Sequence, residues 1–321
     1  MLSDKINSLP ISQTVAMTAK AHDLKNQGVD VITLSAGEPD FDTPVNIQKA
    51  AAQAIGDGET RYTAVDGTPK LKKAIREKFK RENGLDYSVN EVMVSSGGKQ
   101  VFYNLCQAIL SKGDEVIIPA PYWVSYPDIA ILADATPVFI ETGLEQEFKI
   151  TAEQLESSIN ANTKLFVLNS PSNPTGAVYT KSEIESLGKV LEKHPHVHII
   201  SDDIYEHIRW EDGAFVNIAM ACPNLKDRTI ILNGVSKAYA MTGWRIGYAA
   251  GPEDIIKAMK KIQGQSTSNP SSISQAAALE AISGDQSFIN MMVEAFERRH
   301  NFLVDSLNTI DGIECPQSRG A

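Results

Sequence analysis

Between residues 92 and 250 short apolar runs alternate with amphipathic stretches, and this alternation confines the chain to few architectures. The runs are Val92 to Ser95, Glu115 to Pro119, Pro137 to Glu141, Leu165 to Asn169, Val197 to Asp202, Thr229 to Asn233 and Ile246 to Ala250. Several are apolar at consecutive positions, as expected of strands covered by helices on both faces. The stretches between them carry a helical period. Leu71, Ile75 and Phe79 recur at a spacing of four, with Lys72, Lys73, Arg76 and Lys80 expected to turn outward and Gly84 just past the end. Val101, Phe102, Leu105, Cys106, Ile109 and Leu110 form a second apolar stripe. Thr180 and Glu183 make a capping box in front of Ile184, Leu187, Val190 and Leu191. Strand–helix alternation implies a three-layer α/β/α fold around a mostly parallel, mixed sheet with right-handed crossovers. In such sheets ligands bind beyond the carboxyl ends of the strands.

The chain has 321 residues, more than one hydrophobic core usually serves, so one large domain and part of another are expected. A net charge of -10 argues against nucleic acid as a partner. Cys106, Cys222 and Cys315 are scattered, which suggests neither a disulfide framework nor a zinc site. His194, His196 and His198 alternate, but a helix ending near Pro195 and running into a strand explains them better than a metal site. No long uncharged apolar stretch and no signal pattern occur, so no membrane segment is expected and the cytoplasm is the expected compartment.

The polar residues of interest fall at the strand ends. Ser95-Ser96-Gly97-Gly98-Lys99-Gln100 follows the first strand and opens a helix, where first-turn N–H groups favour an anion. A tight strand-to-helix turn would read the same way. Pro121-Tyr122-Trp123-Val124-Ser125-Tyr126-Pro127 offers Trp123 as a stacking platform or as a core residue. Two prolines and a glycine stiffen Asn169 to Gly176, so Asn173 is either a turn former or an aimed amide. Asp202 or Asp203 caps a helix, or Asp202 lies at the floor of a site and keeps a pyridine nitrogen protonated. Tyr205, three residues on, is expected on the same helix face as Asp202. Lys237 follows another strand among small residues, with Arg245 eight positions later. An amine near a phosphate-binding guanidinium suits pyridoxal phosphate, which needs a lysine for its aldehyde and cations for its phosphate.

These motifs resemble the fold-type I pyridoxal phosphate enzymes, in particular the class I and II aminotransferases and their bacterial aspartate aminotransferase subgroup. The resemblance runs from Leu9 onward and rests on Ser35 to Pro44, Pro121 to Pro127, Ser172 to Gly176 and Ser236 to Tyr248. It implies that Lys237 forms the Schiff base with the cofactor, that Asp202 pairs with its ring nitrogen, and that Asn173 and Tyr205 bond its ring hydroxyl. It implies that Trp123 stacks on the ring. The loop amides of Gly97, Gly98 and Lys99, with Ser236 and Arg245, would hold the phosphate. Gly37 would offer its amide to the substrate carboxylate, beside Trp123 and Asn173, and Tyr62 would reach the phosphate of a neighbouring subunit in a homodimer with sites at the interface. The family's domain plan implies an N-terminal arm and the first part of a small domain in residues 1–45. A large cofactor-binding domain would span 46–290, and 291–321 would start the remainder of an incomplete smaller α/β domain. The arginine that grips the substrate α-carboxylate in this family is then expected beyond residue 321.

The implied reaction is a ping-pong transfer of an amino group between an L-amino acid and a 2-oxo acid. Lys99 at the cofactor edge favours aspartate with 2-oxoglutarate; aromatic amino acids or prephenate are the alternatives. A carbon–sulfur lyase on the same fold and a non-catalytic regulatory module are the rival readings.

Overall fold

The computed structural model describes residues 6, 13–34, 37–210 and 213–321; Ser35 and Ala36 of the first motif lie outside the described residues. Seven strands form one sheet: β1 (Val92–Ser95), β2 (Glu115–Ala120), β3 (Thr136–Glu141), β4 (Thr163–Asn169), β5 (His198–Asp202), β6 (Thr229–Gly234) and β7 (Gly247–Ala250). Each expected strand is present, with ends shifted by no more than two residues. The order is β1-β7-β6-β5-β4-β2-β3. β7 runs antiparallel to β1 and β6, and the remaining neighbours are parallel.

Side-chain alternation along the strands explains the three layers. Met93, Val116, Ile118, Leu165, Val167, Ile200, Ile230, Leu232 and Ala249 share one core with helices Gly98–Ile109 and Glu253–Gln265. On the opposite face, Val92, Val94, Ile231 and Tyr248 pack under helices Pro69–Asn83 and Ser272–Ser283. Ile117, Phe166, Leu168 and Ile199 continue that face under helix Lys181–Lys193. The helix boundaries follow local chemistry. Thr68 caps Pro69–Asn83 and Gly84 ends it at φ 66°. Thr180 and Glu183 form the expected capping box. His194 follows that helix and bonds Glu156 (2.9 Å), His196 bonds the Asn160 carbonyl (3.1 Å), and His198 begins β5.

Two expectations fail. Lys72 does not turn outward: it is buried, and its ammonium lies 2.6 Å from the Asp66 carboxylate, which a periodicity argument cannot see. No helix opens after Asp202 either. The chain makes tight turns instead, with Glu206 N–H donating to the Asp203 carbonyl (2.9 Å) and Ile208 N–H to the Tyr205 carbonyl (2.8 Å). Asp203 does not cap a helix. Its buried carboxylate accepts hydrogen bonds from Ser201 (2.7 Å) and Asn217 (2.7 Å), which fixes that turn. Among the described residues no helix is long and apolar enough to cross a membrane.

Candidate active site

The carboxyl ends of β4, β5 and β6, the loop before β7 and the loop after β1 surround a cavity of about 290 Å³. Gly37, Gly98, Lys99, Trp123, Asn173, Asp202, Tyr205, Ser236, Lys237 and Arg245 line it. Gly97 adjoins it as the residue that caps helix Gly98–Ile109. Tyr62 is not brought to this cavity: it is 92% exposed and borders a separate hollow with Arg61 and Thr63. A larger hollow of about 720 Å³, walled in part by Phe148, Trp210 and His300, contains none of the residues singled out from the sequence.

Asp202 ends β5 and is 4% exposed. Its carboxylate accepts from the Tyr126 hydroxyl (2.6 Å) and from Ile204 N–H (3.3 Å). Burial pushes its pKa up to about 6, and the two hydrogen bonds and the Lys237 charge only partly offset that. Asn169 ends β4 and ties the floor together. Its amide donates to the Asp202 carbonyl (2.9 Å), and its side-chain oxygen accepts from Asn173 N–H (2.9 Å). Asn173 is thereby aimed at Tyr205, whose hydroxyl it meets at 3.3 Å. Burial first, then the Asp202 charge, pushes the Tyr205 phenol up to about 12, so it stays a donor at neutral pH.

Lys237 is half-buried and donates to the Gly37 carbonyl. Burial lowers its pKa and Arg245 adds to that, while Glu38 and Asp202 act the other way. Glu38 is held over the cavity by the Thr242 hydroxyl, and Arg245 is steadied by donating to the Thr242 carbonyl (2.9 Å). Lys99 stands at the mouth with its ammonium 5.2 Å from the centre of the Trp123 ring.

The glycines are set for close approach. Gly97 has φ 95°, and a methyl group there would lie 2.3 Å from an Arg245 nitrogen. On Gly247 it would lie 2.4 Å from the Gly98 nitrogen. The Arg245 guanidinium thus lies against the residue that opens helix Gly98–Ile109, and Gly98, Lys99 and Arg245 line the same cavity, a combination of cation and helix N-terminus that suits a dianion. Together with an amine, a carboxylate of raised pKa, an indole and a phenol–amide pair, this donor set fits pyridoxal phosphate.

Sequence reasoning missed Tyr126, Asn169, Glu38 and Thr242. Tyr126 and Asn169 lay inside runs already noticed, but a tyrosine among aromatics and an asparagine at the end of an apolar run carry no local sign of a distant partner.

The family model described as aminotransferase class I and II matches residues 29–321. The aspartate/prephenate aminotransferase of Nitrosomonas europaea is 58% identical over 320 residues, covering 100% of this chain and 81% of the relative. The crystal structure of the aspartate aminotransferase from Rhizobium meliloti superposes with a TM-score of 0.97 at 51% identity, covering 100% of this chain and 80% of that one. An aspartate aminotransferase from Thermus thermophilus with maleate superposes with a TM-score of 0.95 at 43% identity and is covered to 83%.

Proposed function

This chain belongs to the aminotransferase class I and II family and is a pyridoxal-phosphate-dependent transaminase; from that premise we propose that it moves the amino group of L-aspartate to 2-oxoglutarate. The single observation that carries the site assignment is the convergence of Lys237, Asp202, Asn173, Tyr205 and Arg245 on one cavity at the strand ends.

In this reading the Gly97, Gly98 and Lys99 amides, Ser236 and Arg245 hold the phosphate. Asp202 would hold the ring nitrogen, and Asn173 and Tyr205 the ring hydroxyl. Trp123 would stack on the ring. When bound, the cofactor supplies an aldehyde that takes up the amino group and a ring that accepts the electron pair left on the substrate Cα. The protein's own groups do the rest. Lys237 would hold the cofactor through its aldehyde, and its Nζ would serve as the base for the substrate Cα proton. Burial lowers its pKa, the direction that favours the neutral amine a base needs. Asp202, buried at 4% exposure, would hold a proton at the ring nitrogen, where low solvent access would strengthen the pairing. Gly37 offers its amide to the substrate α-carboxylate.

Lys99 at the cavity mouth supplies a cation for an acidic side chain, which favours aspartate. Prephenate as amino acceptor is a second reading, favoured by the name of the Nitrosomonas europaea relative. The reading includes a homodimer in which Tyr62 reaches the partner's phosphate. Its 92% exposure leaves the phenol free to do so. The division into an arm with small-domain residues 1–45, a large domain 46–290 and small-domain residues 291–321 belongs to the same reading. So does the cytoplasm as compartment, which three free cysteines, two of them buried, suit.

The test is spectroscopic. Incubated with pyridoxal phosphate, the protein is expected to turn yellow, and L-aspartate is expected to bleach that band faster than other amino acids. Oxaloacetate is the expected product. Lys237→Ala is expected to lose the band and nearly all turnover; retention of turnover would remove Lys237 from its role. Faster bleaching by an aromatic amino acid would overturn the aspartate assignment.

A further inference from the structure

Helix Pro69–Asn83 carries a lysine that its amphipathic pattern does not explain. Lys78 is 1% exposed. Its ammonium donates to Glu206 and to the Asn83 side-chain oxygen (2.9 Å), and Glu82 lies 3.4 Å away. Glu206 is 5% exposed and has every carboxylate oxygen in use. One oxygen accepts from Lys78 and from the Asn233 amide (2.7 Å), and the other from the Asn83 amide (3.0 Å). His207 faces the pair from the outside, 3.0 Å from Glu82 and 3.8 Å from Glu206. Glu82, Glu206 and His207 have the spacing of metal ligands, but the Lys78 ammonium already supplies the cation there.

The placement of this pair gives it a purpose beyond packing. Glu206 directly follows Tyr205, in the turns that leave β5 after Asp202. Asn233 lies near the end of β6, four residues before Lys237, and its side-chain oxygen accepts from Gly234 N–H (2.7 Å). The β5–β6 register ends at Asp202 and Leu232, with one more backbone bond from Asp203 N–H to the Leu232 carbonyl (2.9 Å). The Glu206–Asn233 bond lies beyond that point and adds a side-chain tie between the two loops.

We propose that Glu206, clamped by Lys78 and Asn83, is a positioning residue that locks the loop carrying Tyr205 to the loop carrying Ser236 and Lys237 through Asn233. Neither Glu206 nor Lys78 touches the cavity. Their effect is to fix the distance between the phenol that faces the cofactor ring and the amine that holds its aldehyde. A carboxylate suits the task because it accepts three hydrogen bonds at once, two from helix Pro69–Asn83 and one from β6. The buried ammonium is what allows a carboxylate to stay charged there. This inference rests on the cofactor reading above.

The experiment uses the protein with and without bound cofactor and three variants, one of them the single Glu206→Gln as reference. Asn233→Ala cuts the tie while leaving the Lys78–Glu206 pair intact. The double variant Lys78→Met with Glu206→Gln removes both charges together, so no buried charge is left unpaired. Read out are the melting temperature without cofactor, the dissociation constant for pyridoxal phosphate, and the pH midpoint of the bound cofactor's absorbance. Asn233→Ala is expected to keep its fold, bind cofactor about 10- to 100-fold more weakly and shift the absorbance midpoint, since groups that hold a site's contacting residues in place typically have effects of this size. The double variant is expected to melt above the single Glu206→Gln variant yet shift the midpoint as Asn233→Ala does. Wild-type affinity and midpoint in Asn233→Ala, or their recovery in the double variant, would reduce the network to a structural brace. A wild-type protein that stays colourless would instead sink the cofactor reading, and this inference with it.

Discussion

Asp202 shows how one buried residue can trade stability for chemistry. Its folded-state pKa of about 6 lies above that of an ordinary aspartate. Between pH ~4 and ~6 the folded chain keeps a proton that the unfolded chain has released, so the group's contribution to stability falls as pH rises through that window. Above it the carboxylate is charged in a site that disfavours charge. Asp202→Asn is therefore expected to stabilise the cofactor-free protein at pH 8, by about 3 kcal/mol at one pKa unit per ~1.4 kcal/mol. The advantage over wild type should vanish near pH 4. Urea unfolding at the two pH values measures it. The same variant should still bind cofactor but lose several orders of magnitude in turnover; a mild loss would show that the charge at the ring nitrogen is dispensable. Individual residues were legible in the sequence where chemistry and strand-end position coincided, as for Lys237, Asp202 and Asn173. They were illegible where the partner was remote. Tyr126 reaches Asp202 across 76 positions and Lys78 reaches Glu206 across 128, and no local pattern announces either bond.

Among elements, the strands were the most readable. β1, β6 and β7 are buried at every position, and a short run that must be apolar on both faces leaves little ambiguity. The helix that opens at Gly98 was readable from its paired glycines. The turns after Asp202 were not, because three-residue spacing suits a tight turn as well as a helix. The Gly97 element is the most exposed to substitution. Its φ of 95° strains any side chain, and a Cβ there would push the Arg245 guanidinium aside. Gly97→Ala is expected to destabilise the protein by roughly 1–3 kcal/mol, the usual cost of such backbone strain. It is also expected to weaken phosphate-dependent cofactor binding by about tenfold or more. Titration with pyridoxal phosphate and with pyridoxal separates the two effects: a specific phosphate defect affects only the former.

Across the whole molecule, the site occupies the edge where the parallel strands end, as strand–helix alternation implies. Tyr62 stands apart from it, so the site of a homodimer would be completed from outside. Sedimentation of the cofactor-loaded protein is expected to give a dimer. Tyr62→Ala is expected to raise the dissociation constant for the cofactor without lowering the melting temperature of the cofactor-free form. A monomer with full affinity would exclude the shared site. The reversal of β7 has a further result. Gly247 pairs with Ser95 on one side and with Gly234 on the other, so the chain leaves the sheet at β6 and re-enters it next door. The single excursion between those two points carries both the amine and the guanidinium. The anchor and the clasp of the guest molecule are thus cut from the same length of ribbon, and adding or removing one link between them would spoil both grips together.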